Sequence, residues 1–216
     1  MMKTDTIADP RVRELLAEAT AWRLLGLLFE RPRDGWRKDV ETLSRVVSDP
    51  ELQAAAAAAQ DEASEGLYLA LLGPGAPVSA REVTYRGMED PGRIIADLSA
   101  FYDAFAFHPE TEEAPDHLAV EAGFLGYLRM KEAYARARGN EEEARITATA
   151  AARFSDEHLT ILAWPVAERL EATNVRYLSL AATALAHRSG PRRNTGLTVK
   201  APLRVCDDCS LECGLE

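Results

Sequence analysis

Asp116 and His117 stand side by side at the head of an apolar run, in EEAPDHLAVEAGFLGYL over residues 112–128. An acid beside a histidine is part of a hydrolytic triad. A histidine with an acid four residues on, here His117 and Glu121, is half of a metal site. Neither arrangement is completed by the sequence. Adjacent residues of a helix point about 100° apart, so Asp116 and His117 do not share a face, whereas His117 and Glu121 do. No nucleophile elbow and no glycine-rich phosphate loop is present. Glu157-His158 is adjacent, not at the i, i+3 spacing of carboxylate-bridged bundles. The residues alone favour a helix start. Pro115 pre-sets the turn, Asp116 lies near the positive end of the dipole, and Leu118, Phe124, Leu125 and Leu128 point inward.

The elements that would carry these residues read as helices nearly throughout. Asp9-Pro10, Asp49-Pro50 and Asp90-Pro91 are cap-and-first-turn pairs, each followed by apolar residues at helical spacing. The first helix becomes apolar around its whole circumference at Leu24–Phe29, which predicts central burial. Asp34 is expected to open a short second helix, and Asp49 a long one running through the alanines to Leu72. Pro165 is expected to kink or cut its helix. The stretch 73–88, with two glycines and two prolines in its first five residues, forbids a regular element at its start. No period-2 strand pattern appears. The expected fold is all-α, a single-domain helical bundle of about eight helices over residues 1–187, with a long loop near 73–88. Residues 188–216 form a separate tail.

Bulk charge narrows the partners. The chain of 216 residues carries 25 bases and 35 acids, net −10. Phosphate backbones require clustered Lys and Arg, so nucleic acid is not expected as a partner. Residues 188–204 hold five bases and no acid, and the body before them is correspondingly net −11. The N-terminus lacks the apolar stretch of a secretory signal, and no run approaches the roughly 20 apolar residues that span a bilayer. A cytoplasmic protein without stable membrane insertion, monomeric or homodimeric, is expected. All the cysteines lie in the tail, at Cys206, Cys209 and Cys213. This C-x2-C-x3-C spacing supplies three ligands for zinc or an iron–sulfur cluster and lacks a fourth. The expectation is either no cofactor or a metal held there.

The order of motifs along residues 10–187 resembles the TorD/DmsD/NarJ-type redox-enzyme maturation chaperones. Pro115, Asp116, His117, Leu118, Glu121, Phe124 and Leu125 are similar to the family's signature. Tyr68, Gly73, Pro74, Pro77, Glu82 and Tyr85 resemble its loop motif, and Phe154, His158, Leu159 and Trp164 its later positions. Leu72, Val120 and Gly123 depart from the pattern, and the tail lies outside it. The resemblance implies a non-enzymatic cytoplasmic chaperone for a molybdenum oxidoreductase. Such a protein binds the apo catalytic subunit, its twin-arginine signal peptide, or both, until cofactor insertion and export. A receptor for a peptide with a cationic head and an apolar segment needs carboxylates beside an apolar groove. The expected polar edge is Asp116, His117 and Glu121, with Glu82, Glu112 and Glu113 nearby; the expected apolar walls are Tyr85, Phe101, Phe105 and Phe124. Asp116→Ala is expected to weaken peptide binding and leave the fold intact. The basic part of the tail could lie on the acidic body and compete with the client. The rival function is a small iron–sulfur or zinc protein acting through the tail cysteines.

Overall fold

A computed structural model of the chain describes residues 9–192. Its helices are α1 (Pro10–Leu28), α2 (Trp36–Ser44), α3 (Pro50–Glu62), α4 (Glu65–Leu72), α5 (Pro91–Ala104), α6 (Leu118–Ala137), α7 (Glu141–Phe154), α8 (Thr160–Glu171) and α9 (Arg176–Ser189). A π turn, Ser155–Leu159, joins α7 to α8 without interruption, so the described residues form eight helical rods. There is no strand among them, and no helix is long and apolar enough to cross a membrane.

The three Asp-Pro pairs are real caps. Asp9, Asp49 and Asp90 each accept a backbone N–H from the first turn, with proline in that turn. Three boundaries differ from expectation. Gly35, at φ +82°, precedes α2 in place of Asp34, because only glycine takes the left-handed turn without strain. The helix after Asp49 is cut at Ala63, where Ser64 caps α4 by accepting the N–H of Leu67. α8 runs straight through Pro165, whose missing N–H would have bonded Ile161; the irregularity lies upstream, in the π turn.

The spine of the molecule is the packing of α1 on α6. Leu24, Leu25, Leu27, Leu28 and Phe29 are all buried, as the all-round apolar pattern requires. Two glycines set how closely the helices approach. A Cβ on Gly26 would lie 2.9 Å from the carbonyl oxygen of Ala119, and one on Gly126 3.0 Å from that of Ala19. Trp36 hydrogen-bonds the Leu27 carbonyl at 2.8 Å, fastening α2 to the end of α1. Glu62 accepts the Tyr177 N–H at 2.9 Å, satisfying a donor at the start of α9 that has no side-chain cap of its own. The crossing yields a direct test. Gly26→Ala should lower stability by about 1–3 kcal/mol through backbone overpacking, read from the urea midpoint. Gly123→Ala, where a Cβ meets nothing within 4 Å, should leave the midpoint unchanged or raised.

Candidate functional site

The signature stretch opens α6, but its cap is His117, not Asp116. The Nδ1 of His117 accepts the N–H of Ala119 at 3.2 Å. That bond leaves the proton on Nε2, which lies 3.2 Å from the Tyr68 hydroxyl; Tyr68 in turn donates to Glu113 at 2.9 Å. His117 is 3% exposed, and burial depresses its pKa, against the opposing pull of Glu113. It is a neutral, fully engaged cap. No serine or cysteine is among its partners, which removes the hydrolytic reading.

Asp116 is completely buried. Its carboxylate accepts from Arg81 Nε and, at 3.3 Å, from the Val83 N–H. The two strands of backbone also touch. Glu82 N–H bonds the Asp116 carbonyl at 2.9 Å and Leu118 N–H bonds that of Ala80 at 2.8 Å, so the loop is stitched to the start of α6. Glu82, on a 3-10 turn at Glu82–Tyr85, is also fully buried. It is paired with Arg86 and lies 3.0 Å from His158 Nδ1 on the π turn. Asp116 and Glu82 therefore have cationic partners from this chain already. They do not form the exposed polar edge expected of them, because a carboxylate taken this far from water needs a partner in place.

Glu121 completes the cluster. Its oxygens are buried and have no hydrogen-bond partner of normal geometry. Burial first, then the charges of Glu82 and Asp116, push its pKa well above the ordinary 4.5. It is held as the neutral acid, the one form that three carboxyl groups beside two arginines can accommodate without a third negative charge. Of the expected walls, Tyr85 and Phe124 are core residues, at 3% and 0% exposure. Phe124 packs against Tyr102, Phe107 and Phe154 with ring centroids 4.7–5.1 Å apart.

The remaining expected residues reach the surface on different faces. Phe101 and Phe105 line a groove of about 880 Å³ between α5 and the α7–π turn run. Its charged rim is mostly arginine: Arg86, Arg93, Arg145 and Arg153 against Asp97 and Glu157. Glu112 and Glu113 lie elsewhere, in a cavity of about 540 Å³ with Glu30, Arg31, Arg33 and Glu110. Through Glu30, Glu110 and Thr111 this cavity adjoins one of about 190 Å³. Through Arg23, Phe107 and Gly123 that one adjoins an apolar cavity of about 380 Å³, walled by Leu16, Leu43, Tyr127 and Met130. Together they make one trough along α1 and α6, acidic at one end and apolar at the other. Arg31 and Arg33 also reach the acidic end, in exposed pairs with Glu65 and Asp39, and are outnumbered there by Glu30, Glu110, Glu112 and Glu113; Arg23 pairs with Glu30. Glu110 and Glu112 are exposed and form no ion pair among the described residues.

Sequence reasoning missed Glu30, Leu16, Leu43, Phe107, Tyr127 and Met130. The usable signals were an acid directly behind the apolar run of α1, and Leu16 and Met130, which remain 39% and 48% exposed. The cysteines fall outside the described residues. Among those described, no group of three His, Cys, Asp or Glu could hold a metal ion.

Two stability measurements check the cluster. Asp116→Ala leaves the Val83 N–H and the Arg81 guanidinium without their acceptor, and should cost about 1–3 kcal/mol of stability. Glu121→Gln should be the opposite case. A carboxyl with a raised folded pKa binds more protons folded than unfolded, so stability falls as pH rises above the ordinary 4.5. Removing the titration should make the variant at least as stable as the parent at pH 7. The difference should widen by at most about 1.4 kcal/mol per pH unit, read from urea midpoints at pH 6, 7 and 8.

Comparison with known proteins agrees with this non-catalytic site. Residues 30–164 match the family described as nitrate reductase delta subunit. The chlorate reductase assembly chaperone protein of Ideonella dechloratans is 31% identical over 168 residues, covering 74% of this chain and 80% of the relative. The selenate reductase assembly chaperone protein of Thauera selenatis is 32% identical over 184 residues, covering 80% and 89%. The helical architecture, a family match over most of the helical body and two relatives named as assembly chaperones lead to one conclusion: this chain belongs to the nitrate reductase delta subunit family, and is a redox-enzyme maturation chaperone, not an enzyme.

Proposed function

We propose that the protein is a cytoplasmic chaperone for the catalytic subunit of a molybdenum oxidoreductase. In this reading it holds the subunit's twin-arginine signal peptide in the trough along α1 and α6 until the cofactor is inserted. The observation that carries the reading is the polarity of that trough. Two adjacent arginines at one end of a peptide match Glu110 and Glu112, which have no ion pair among the described residues, with Glu113 and Glu30 behind them. Guanidinium–carboxylate forks give such contacts both strength and direction. The apolar run that follows in the peptide matches Leu16, Leu43, Tyr127 and Met130. A methionine on the wall suits a ligand whose side chains vary, because its thioether stem repacks easily. Gly123 forms the waist between the two ends and leaves room for peptide backbone.

In this reading the signature residues act indirectly. The loop stitch and the Tyr68–His117–Glu113 chain fix the segment before α6, and with it the acidic end of the trough. Of the residues expected to contact peptide, Glu112 and Glu113 are retained as contacts. Asp116, His117, Glu121 and Glu82 become the scaffold behind them.

The test is calorimetric titration with a synthetic peptide carrying two adjacent arginines and an apolar run. Glu110→Gln combined with Glu112→Gln should weaken binding about tenfold, the loss of roughly 1.4 kcal/mol of charge-assisted contact. Gly123→Leu should block the waist and abolish binding without unfolding the protein. A double glutamine variant and a Gly123→Leu variant that both bind like the parent would place the peptide elsewhere.

A further inference from the structure

The groove between α5 and the α7–π turn run has the opposite sign from the body around it, and the trough does not use it. Its floor is apolar, with Phe101, Phe105 and Ile161 below and Ile146 49% exposed on the wall. On its rim Arg93 forms no ion pair among the described residues. Arg145 and Arg153 pair with Glu142 and Glu157, and in both pairs each side chain is more than 40% exposed. Ion pairs so exposed are worth at most about 1 kcal/mol, so these arginines exchange partners readily. A concentration of guanidinium over greasy floor, on a body that is net −11, fits a ligand with carboxylates and a few apolar side chains.

One segment of this chain has that composition. Residues 205–216, VCDDCSLECGLE, hold four acids and no base, with Val205, Leu211 and Leu215 among three cysteines. The place where the described chain ends also points to the groove. The Gly190 carbonyl accepts from Trp164 on α8, and Arg192 pairs with Glu168 on the same helix. The first turn of α8 carries Ile161, part of the groove. Glu168 and Ile161 are seven residues apart, about 10 Å along a helix. The 13 residues from Arg192 to Val205 span up to about 43 Å when extended, so the segment reaches the groove with slack.

We propose that residues 205–216 dock in the arginine-rimmed groove, with Asp207, Asp208 and Glu212 on the rim arginines and the leucines on the aromatic floor. Docking places the cysteines beside the α5 and α7 walls instead of in solution. Because the segment is tethered, its effective concentration at the groove is millimolar, and weak individual contacts suffice. Salt, or an acidic partner that competes for the arginines, releases it. The signal-peptide trough lies on α1 and α6, so this assignment stands or falls separately from the reading above.

The cysteine distribution supplies the experiment, since the body before residue 206 holds none. In a full-length chain keeping only Cys213 of the tail thiols, Ile146→Cys is introduced and the protein is treated with diamide at low concentration. Two thiols are oxidised to one disulfide while diamide is reduced to the hydrazine. The intramolecular 146–213 disulfide, mapped by mass spectrometry, should form at least tenfold faster than the 134–213 disulfide of a Tyr134→Cys control on α6. Thr149→Cys, also exposed and in the groove, gives a second probe if the first variant is poorly folded. Arg93→Glu with Arg145→Glu, or 0.5 M salt, should remove the preference. Equal rates at 146, 149 and 134, or a preference indifferent to charge reversal, would overturn the docking.

Discussion

Three carboxyl groups buried at one junction set the terms for the rest of this molecule. Asp116, Glu82 and Glu121 converge where the 73–88 loop meets the first turn of α6, and none has more than a trace of solvent exposure. Burying that much charge is tolerable only if the partners are already in place. Arg81 and Arg86 come from the loop itself, and His158 comes from the π turn. The glycine- and proline-rich stretch is therefore clamped at its far end. Neutralising Glu121 is what keeps the count of opposite charges equal across the junction.

The segments that meet at this junction contribute to two surface features of opposite sign. On one side, the segment ahead of α6 is fixed by the Tyr68–His117–Glu113 chain and presents its acids to the trough. On the other, Arg86 and His158 reach from the same cluster to the edge of the arginine-rimmed groove. The glycine-mediated approach of α1 and α6 forms the floor beneath the trough. A rigid floor and a clamped rim leave little for any ligand of the trough to order on binding, which is where much binding free energy is otherwise lost.

What could be read in the sequence was whatever depends on local chemistry. The Asp-Pro caps, the all-round apolar segment of α1 and the break after Leu72 each follow from a few neighbouring residues, and the structure has them. The break at Ser64 was hidden because Ala-Ser-Glu within an alanine-rich run has good helix propensity on one side and a good cap on the other. The orientation of the signature acids was illegible for a different reason. A carboxylate near a helix start looks the same whether it faces water or an arginine 35 residues earlier, and Arg81 is that far from Asp116 in sequence. Tyr85 and Phe124 posed the same ambiguity, since an aromatic at helical spacing suits a groove and a core equally. The trough needed α1, α2, α6 and the 107–113 segment together, so no window of sequence contained it.

The distinction between contact and scaffold matters for how the PDHL stretch is understood. Had Asp116 and His117 faced a ligand, their value would be measured by affinity. Buried as they are, they fix the geometry of the segment ahead of α6 and of the loop. A neutral histidine cap and a carboxylate holding two backbone segments are poor catalysts but rigid fasteners, since each polar atom has a fixed partner and little freedom to rearrange. The physical chemistry of this junction, strong pairing in a low-dielectric interior around one neutral carboxyl, explains why residues that resemble half of an active site serve as fasteners in a maturation chaperone.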